Sequence, residues 1–209
     1  MDEQGSGMNV QNHLTIEPGI LSRALAVIVT SFCVLIHQNA AEANEEMLWS
    51  ALRSGDHIAL IRHTIAPGTG DPDNFKIDDC STQRNLSAEG RAQAARIGER
   101  FRKNGITKAH VYSSQWCRCQ DTAEFLQLGP VKTLKELNSF YQRYENEERQ
   151  SEGLKAWLSQ MNLRELHILV THQVNITALT AYYPSSGELV IARVGKNGAL
   201  KMVGSIKTE

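Results

Sequence analysis

The stretch His57-Ile58-Ala59-Leu60-Ile61-Arg62-His63-Thr64 constrains this chain more than any other. A short apolar run stops abruptly at an Arg-His pair, and a long loop follows. The bounded apolar part has the pattern of a buried strand. In open α/β sheets, chemistry gathers at the carboxyl ends of such strands. A guanidinium there offers a rigid fork of donors suited to phosphate, and an imidazole can act as nucleophile. A two-residue motif recurs by chance, so the pair takes its meaning from the rest of the chain.

Elsewhere helical and strand patterns alternate. Asn44 to Ser54 places Met47, Leu48, Ala51 and Leu52 at helical spacing and predicts a lead-in helix. Residues 64–86 have no clear periodicity. They carry Pro67, Gly68, Gly70 and Pro72, but also Phe75, Ile77, Cys80 and Leu86, which predicts an ordered loop near the site. Ser87 is a good N-cap for a helix reaching about Asn104, with Gly105 to stop it. Ala109 to Ser113 reads as the second strand, residues 114–126 as a helix, and Val131 to Leu134 as a short third strand.

Residues 138–150 are polar and irregular, and a helix is expected over Ser151 to Met161. Leu166 to Thr171 is the most apolar strand, followed by His172 and a helix over Gln173 to Tyr182. Two strands, 188–194 and 199–206, flank Lys196-Asn197-Gly198, where Asn-Gly suits a type I′ hairpin turn. This order predicts an α/β fold. The expected architecture is a three-layer α/β/α sandwich, its mostly parallel sheet covered on both faces and ending in an antiparallel edge hairpin.

The length of 209 residues favours one domain plus a tail. A net charge of −1 makes no global electrostatic case for a nucleic-acid partner or an anionic membrane. Ala24 to Ile36 is an uncharged run of 13 residues behind Arg23, short of the roughly 20 that span a bilayer. Ala41-Glu42-Ala43 then has the small-x-small form of a signal-peptidase site. Residues 1–43 are therefore expected to be a cleaved export signal and 44–209 the mature domain, periplasmic or secreted. An uncleaved membrane anchor is the alternative, since the leading segment is long and carries Asp2, Glu3 and Glu17. No later stretch is long and apolar enough to be a membrane span.

Cys33 lies in the signal, which leaves Cys80, Cys117 and Cys119. In an oxidising compartment one bridge can join Cys80 to Cys117 or to Cys119. Cys80–Cys119 is the pairing carried forward. Zinc is the rival use of three cysteines, but they lack the usual C-x₂₋₄-C knuckle, and neither metal nor cofactor is expected.

Three strand ends carry charged or nucleophilic groups: Arg62 and His63 at the first, Arg118 one turn into the helix after the second, and His172 at the third. In a parallel sheet these ends share one edge, where helix amino termini favour anions. His13, His37, His57, His110 and His167 read as structural or incidental, and Ser113 and Ser114 lack a G-x-S-x-G elbow.

Four segments in order resemble the histidine phosphatase superfamily, whose fold is phosphoglycerate mutase-like. Leu60-Ile61-Arg62-His63-Thr64 is similar to its Arg-His-Gly/Ala motif. Asn85-Leu86-Ser87-Ala88-Glu89-Gly90-Arg91-Ala92-Gln93-Ala94 is similar to its helix start. Tyr112-Ser113-Ser114-Gln115-Trp116-Cys117-Arg118-Cys119-Gln120-Asp121-Thr122-Ala123 is similar to its SSP-x-x-R-x-x-x-TA motif, and Leu169-Val170-Thr171-His172 to that of its second histidine. The chain departs from the pattern at Thr64 (for Gly or Ala), Gln115 (for Pro) and Gln173 (for Gly).

The resemblance implies phosphomonoester hydrolysis without metal. His63 is the implied nucleophile, forming a phosphohistidine that water hydrolyses. Arg62, Arg118 and a protonated His172 are implied to hold the phosphoryl oxygens, with Thr64 and Gln173 as further substrate contacts. Glu136, in Leu134-Lys135-Glu136, matches the position of the family's proton donor. Asp71, Asp73 and Asp78 are its rivals, and members that cleave activated leaving groups do without a donor. The implied substrate is a small-molecule phosphomonoester or a phosphoprotein. The alternatives are a non-catalytic module that binds phosphate or a phospho-ligand, and a mutase-type phosphotransferase.

Overall fold

The computed structural model describes residues 43–208. Residues 1–42, and with them almost all of the expected export signal, lie outside the described residues. Among the described residues no helix is long and apolar enough to cross a membrane.

Strand β1 (His57–Arg62) has buried neighbours on both sides because its side chains alternate between two cores. Ala59 and Ile61 join one cluster with Leu48, Trp49, Ile97 and Phe101. Ile58 and Leu60 join the other, with Leu137, Leu154, Leu158, Leu169 and Ile176. The remaining strands are β2 (His110–Ser113), β3 (Val131–Thr133), β4 (His167–Thr171), β5 (Leu189–Val194) and β6 (Leu200–Ile206). Their order across the sheet is β3-β2-β4-β1-β5-β6. The first four are parallel, while β5 and β6 run antiparallel at the edge.

Helix α1 (43–53), α2 (Ala88–Lys103) and α3 (Cys117–Leu126) supply the first core, and α4 (Glu147–Leu158) and α5 (Gln173–Thr180) the second. This is the expected three-layer sandwich. Ser87 caps α2, its side chain accepting from the Gly90 N–H.

Two local expectations are corrected. The type I′ turn is replaced by a three-residue loop, in which the Gly198 N–H donates to Gly195 O at 2.8 Å and Gly198 sits at φ +75°. A type I′ turn needs two consecutive residues at positive φ, and here Gly198 alone takes it. Helix α4 begins at Glu147 instead of Ser151, because Glu147 and Glu148 in its first turn suit the positive end of the helix dipole.

Candidate active site

Parallel pairing sets the functional ends side by side. Arg62 lies opposite Thr171, and Ser113 opposite Val170. The chain leaves the sheet in step on the three strands: the His63 N–H donates to Thr171 O at 2.9 Å, and the Ser114 N–H to Val170 O at 3.0 Å. His63 and His172 are thereby brought to 5.6 Å between ring centroids, both nearly fully buried.

Helix α2 fixes the backbone just past the pair. Ser87 N–H donates to Ile65 O at 3.0 Å, and Gln93 Oε1 accepts from the Ile65 N–H at 3.2 Å. Gly90 must lack a side chain, since a Cβ there would stand 2.1 Å from Ile65 O. The segment 85–94 thus serves the site by clamping the segment that follows His63.

His63 Nδ1 lies 2.8 Å from Thr64 O. A carbonyl only accepts, so Nδ1 carries the proton and the lone pair is left on Nε2. Burial, and then the charge of Arg118, hold His63 well below the ordinary histidine range, against the pull of the Thr64 carbonyl. The imidazole is therefore neutral near pH 7. His172 Nε2 is 2.9 Å from Ser114 Oγ and 3.5 Å from Cys119 Sγ. Burial, then Arg118 and His63, hold His172 well below its usual value too. The same burial favours the neutral form of His172, and the nearby positive charge comes from the arginines.

Arg118 is almost fully buried and meets Asp71 end-on, its NH1 donating to Oδ1 at 2.7 Å and its NH2 to Oδ2 at 3.2 Å. Burial would raise the Asp71 carboxyl, but its bonds to Arg118 hold it below the usual range. Arg62 NH1 donates to Pro184 O at 2.9 Å. Among the described residues, Arg62 Nε and Arg118 Nε are buried with no hydrogen-bond partner. Such orphaned donors are costly unless something else accepts from them. Arg84 adds a third guanidinium, its Nε donating to Gly70 O at 2.8 Å, and its charge also bears on both histidines.

The long loop is ordered, as expected, and is bound to the start of α3. Phe75 stacks on Trp116 at 5.1 Å, Gln83 Oε1 accepts from the Cys117 N–H at 3.0 Å, and a disulfide joins Cys80 to Cys117. This corrects the expected Cys80–Cys119 pairing. Two residues along a helix turn the side chain by roughly 200°, so Cys117 faces the loop while Cys119 faces the interior. The Cys119 thiol is free and completely buried, which pushes it up to about 12.

The other expected residues are placed as follows. Thr64 is fully buried, and its hydroxyl stands 3.1 Å from that of Thr122. Gln173 donates through Nε2 to Thr177 Oγ1 at 2.8 Å. Glu136 lies in a short 3₁₀ turn (Lys135–Leu137) with its Cγ against α4, where a Cβ on Gly153 would stand 3.2 Å away. Asp71 is the carboxylate that reaches the arginines. The sequence points to Asp71 only as a proton donor and to Ser114 only as a nucleophile without an elbow, and it singles out neither Thr122 nor Arg84. The signal for Ser114 and Thr122 was their place beside Arg118 in one motif; Arg84 carried none.

Comparison with known proteins gives concordant matches. The family model "Histidine phosphatase superfamily (branch 1)" matches residues 58–160. Among solved structures, the chain is similar to the protein histidine phosphatase SixA complexed with tungstate (13% identity, TM-score 0.53, 73% of this chain and 97% of that one). It is also similar to a phosphoserine phosphatase from Entamoeba histolytica (13% identity, TM-score 0.53, 73% and 98%). A third is a mycobacterial glucosyl-3-phosphoglycerate phosphatase (16% identity, TM-score 0.50, 74% and 99%). At these identities the likeness is one of fold. No curated protein matches this chain.

Proposed function

This chain belongs to the histidine phosphatase superfamily, and from that membership we propose that it hydrolyses phosphomonoesters through a covalent phosphohistidine on His63. The observation that carries the reading is the pair of buried, unpartnered Nε donors on Arg62 and Arg118, beside a histidine whose Nδ1 is spent on Thr64 O. Two buried, unpartnered N–H groups and one free imidazole lone pair suit a phosphoryl group under in-line attack.

The steps balance without a further reagent. The Nε2 lone pair of His63 forms a bond to phosphorus, and the bond from phosphorus to the ester oxygen breaks. The departing oxygen takes a proton from Glu136 or, for an activated leaving group, leaves unaided. Water then attacks phosphorus and the bond from phosphorus to Nε2 breaks; the water proton returns to Glu136, or stays on the phosphate where Glu136 gave none, so that inorganic phosphate leaves and His63 is restored. Three arginines against one carboxylate, Asp71, leave two positive charges around the site, which matches a phosphomonoester dianion. His172, neutral at rest, gains a proton more readily once the dianion lies beside it.

A periplasmic or secreted place of action is supported by the Ala24 to Ile36 run and by the Cys80–Cys117 bridge. The substrate is a small phosphomonoester or a phosphorylated protein side chain.

The deciding experiment is acid-quench trapping with a ³²P-labelled phosphate ester. Label should appear on His63 in the wild type and vanish in His63→Ala, together with release of phosphate from p-nitrophenyl phosphate. A wild type that binds phosphate but takes no label and turns over no ester would leave a binding module in place of an enzyme.

A further inference from the structure

Resting on the phosphatase reading, we propose that Asp71 is a positioning residue for phosphoryl transfer: it holds the terminal edge of the Arg118 guanidinium and so reserves the Nε edge for the phosphoryl oxygens. A guanidinium has two edges with parallel N–H bonds, one end-on through NH1 and NH2 and one side-on through Nε and a terminal nitrogen. Asp71 occupies the end-on edge of Arg118 with both oxygens, at 2.7 and 3.2 Å. The Nε is buried and has no partner among the described residues.

Asp71 is itself held from two further sides. Trp116 Nε1 donates to Oδ2 at 2.9 Å, and the Arg84 N–H donates to Oδ1 at 3.1 Å. Both donors sit beside the bridge between the loop and α3, Trp116 next to Cys117 and Arg84 four residues past Cys80. The carboxylate is thus fixed relative to the helix that carries Arg118. Arg62 shows the same design with a different anchor: its NH1 is tied to Pro184 O while its Nε is buried and unpartnered. Two arginines from different elements share one arrangement, with a terminal nitrogen tied by the protein and the buried Nε left over. A carboxylate that accepts four N–H bonds carries no proton to give, which separates this role from that of a proton donor.

The test uses the intact protein and measures Asp71→Asn on p-nitrophenyl phosphate and on glycerol 2-phosphate. The expected result is a fall in kcat of about 10- to 100-fold on both esters, with KM raised as well, because a misplaced guanidinium loses both its orientation and its hold on the phosphoryl oxygens. In an Arg118→Lys background, where the ammonium has no second edge, the same substitution should add less than about a twofold loss. Asp71→Glu keeps the charge, shifts it by one methylene, and should fold with a lowered kcat; it serves as the variant should Asp71→Asn melt early. An unchanged kcat overturns the proposal. A raised kcat does so as well, since Asp71 would then block the site. A loss confined to glycerol 2-phosphate would make Asp71 the proton donor, and an equal loss in the Arg118→Lys background would make its role merely structural. If the wild type turns over neither ester, the phosphatase reading fails on its own. Calorimetric titration with inorganic phosphate then decides: at least tenfold weaker binding in Asp71→Asn upholds the positioning role, and unchanged binding ends it.

Discussion

Thr64 and Thr122 face each other through their hydroxyls at 3.1 Å, and Thr122 Oγ1 also accepts from the Thr64 N–H at 3.1 Å while donating to Arg118 O at 2.7 Å. One hydroxyl on α3 therefore links the backbone beside His63 to the backbone of Arg118. Gln115 behaves alike. Its N–H donates to Asn138 Oδ1 at 2.9 Å and its Oε1 accepts from Asn138 Nδ2 at 2.8 Å, a pairing that a proline could not complete. Gln173 bonds to its own helix. At each position where the chain departs from its relatives' motifs, the new polar group has an internal partner.

Thr122→Val keeps the shape but strands the Thr64 N–H and hydroxyl in a buried place. At about 1–3 kcal/mol for a stranded buried group, the melting temperature should fall by roughly 2–12 °C. Thr64→Ala removes the smaller share and should cost less. Thermal melts of the two variants check the order, and a larger loss in Thr64→Ala would contradict the linkage.

Stability should fall on mild acidification. His63 and His172 are held below the ordinary range, so between the unfolded value of about 6.5 and their folded values the unfolded chain binds more protons than the native one. Their contribution is complete above about pH 6.5 and is lost as pH drops, at up to about 1.4 kcal/mol per pH unit for each group. Asp71, whose carboxyl is also lowered, adds a separate loss in the carboxylate range. Melting temperatures from pH 8 to 5 should decline in the wild type and less steeply in His172→Asn. A flat profile would mean that the rings are charged in the native state.

The disulfide pairing has a clean chemical test, because trypsin cuts after Arg118, between Cys117 and Cys119. A non-reducing digest should link the Cys80 peptide to the one ending at Arg118. Cys119 should resist thiol reagents in the folded protein and react after unfolding. Cys80→Ser should lower stability by about 2–4 kcal/mol and reduce turnover by loosening the loop that bears Asp71. Modification of Cys119 in the native protein would contradict its burial.

Glu136 remains our choice for the proton donor, and leaving-group dependence isolates that role. Glu136→Gln should slow hydrolysis of alkyl phosphates by about 10²–10⁴-fold while largely sparing p-nitrophenyl phosphate, whose leaving group needs no proton. Equal effects on both esters would assign Glu136 to something other than proton transfer.

Much of this is legible in the amino-acid sequence. Alternating apolar runs and helical stripes are local patterns with periods of two and 3.6 residues, so strands β1, β2 and β4 and the capped helix α2 follow from short segments read one at a time. Arg62, His63, Arg118 and His172 stood out because each sits at or just past the end of such a run, and a parallel sheet brings those ends to one edge. The start of α4 and the form of the 195–199 hairpin are not legible there, because several turn and helix-start chemistries fit the same few residues. Other features depend on which side chains meet across long separations, and spacing carries no record of that. Asp71 and Arg118 are joined through the packing of an aperiodic loop against α3. The choice of Cys117 over Cys119 follows from which face of α3 that loop covers. The neutrality of His172 arises from burial beside Arg118, an energy that exists only once the chain has excluded water from the site.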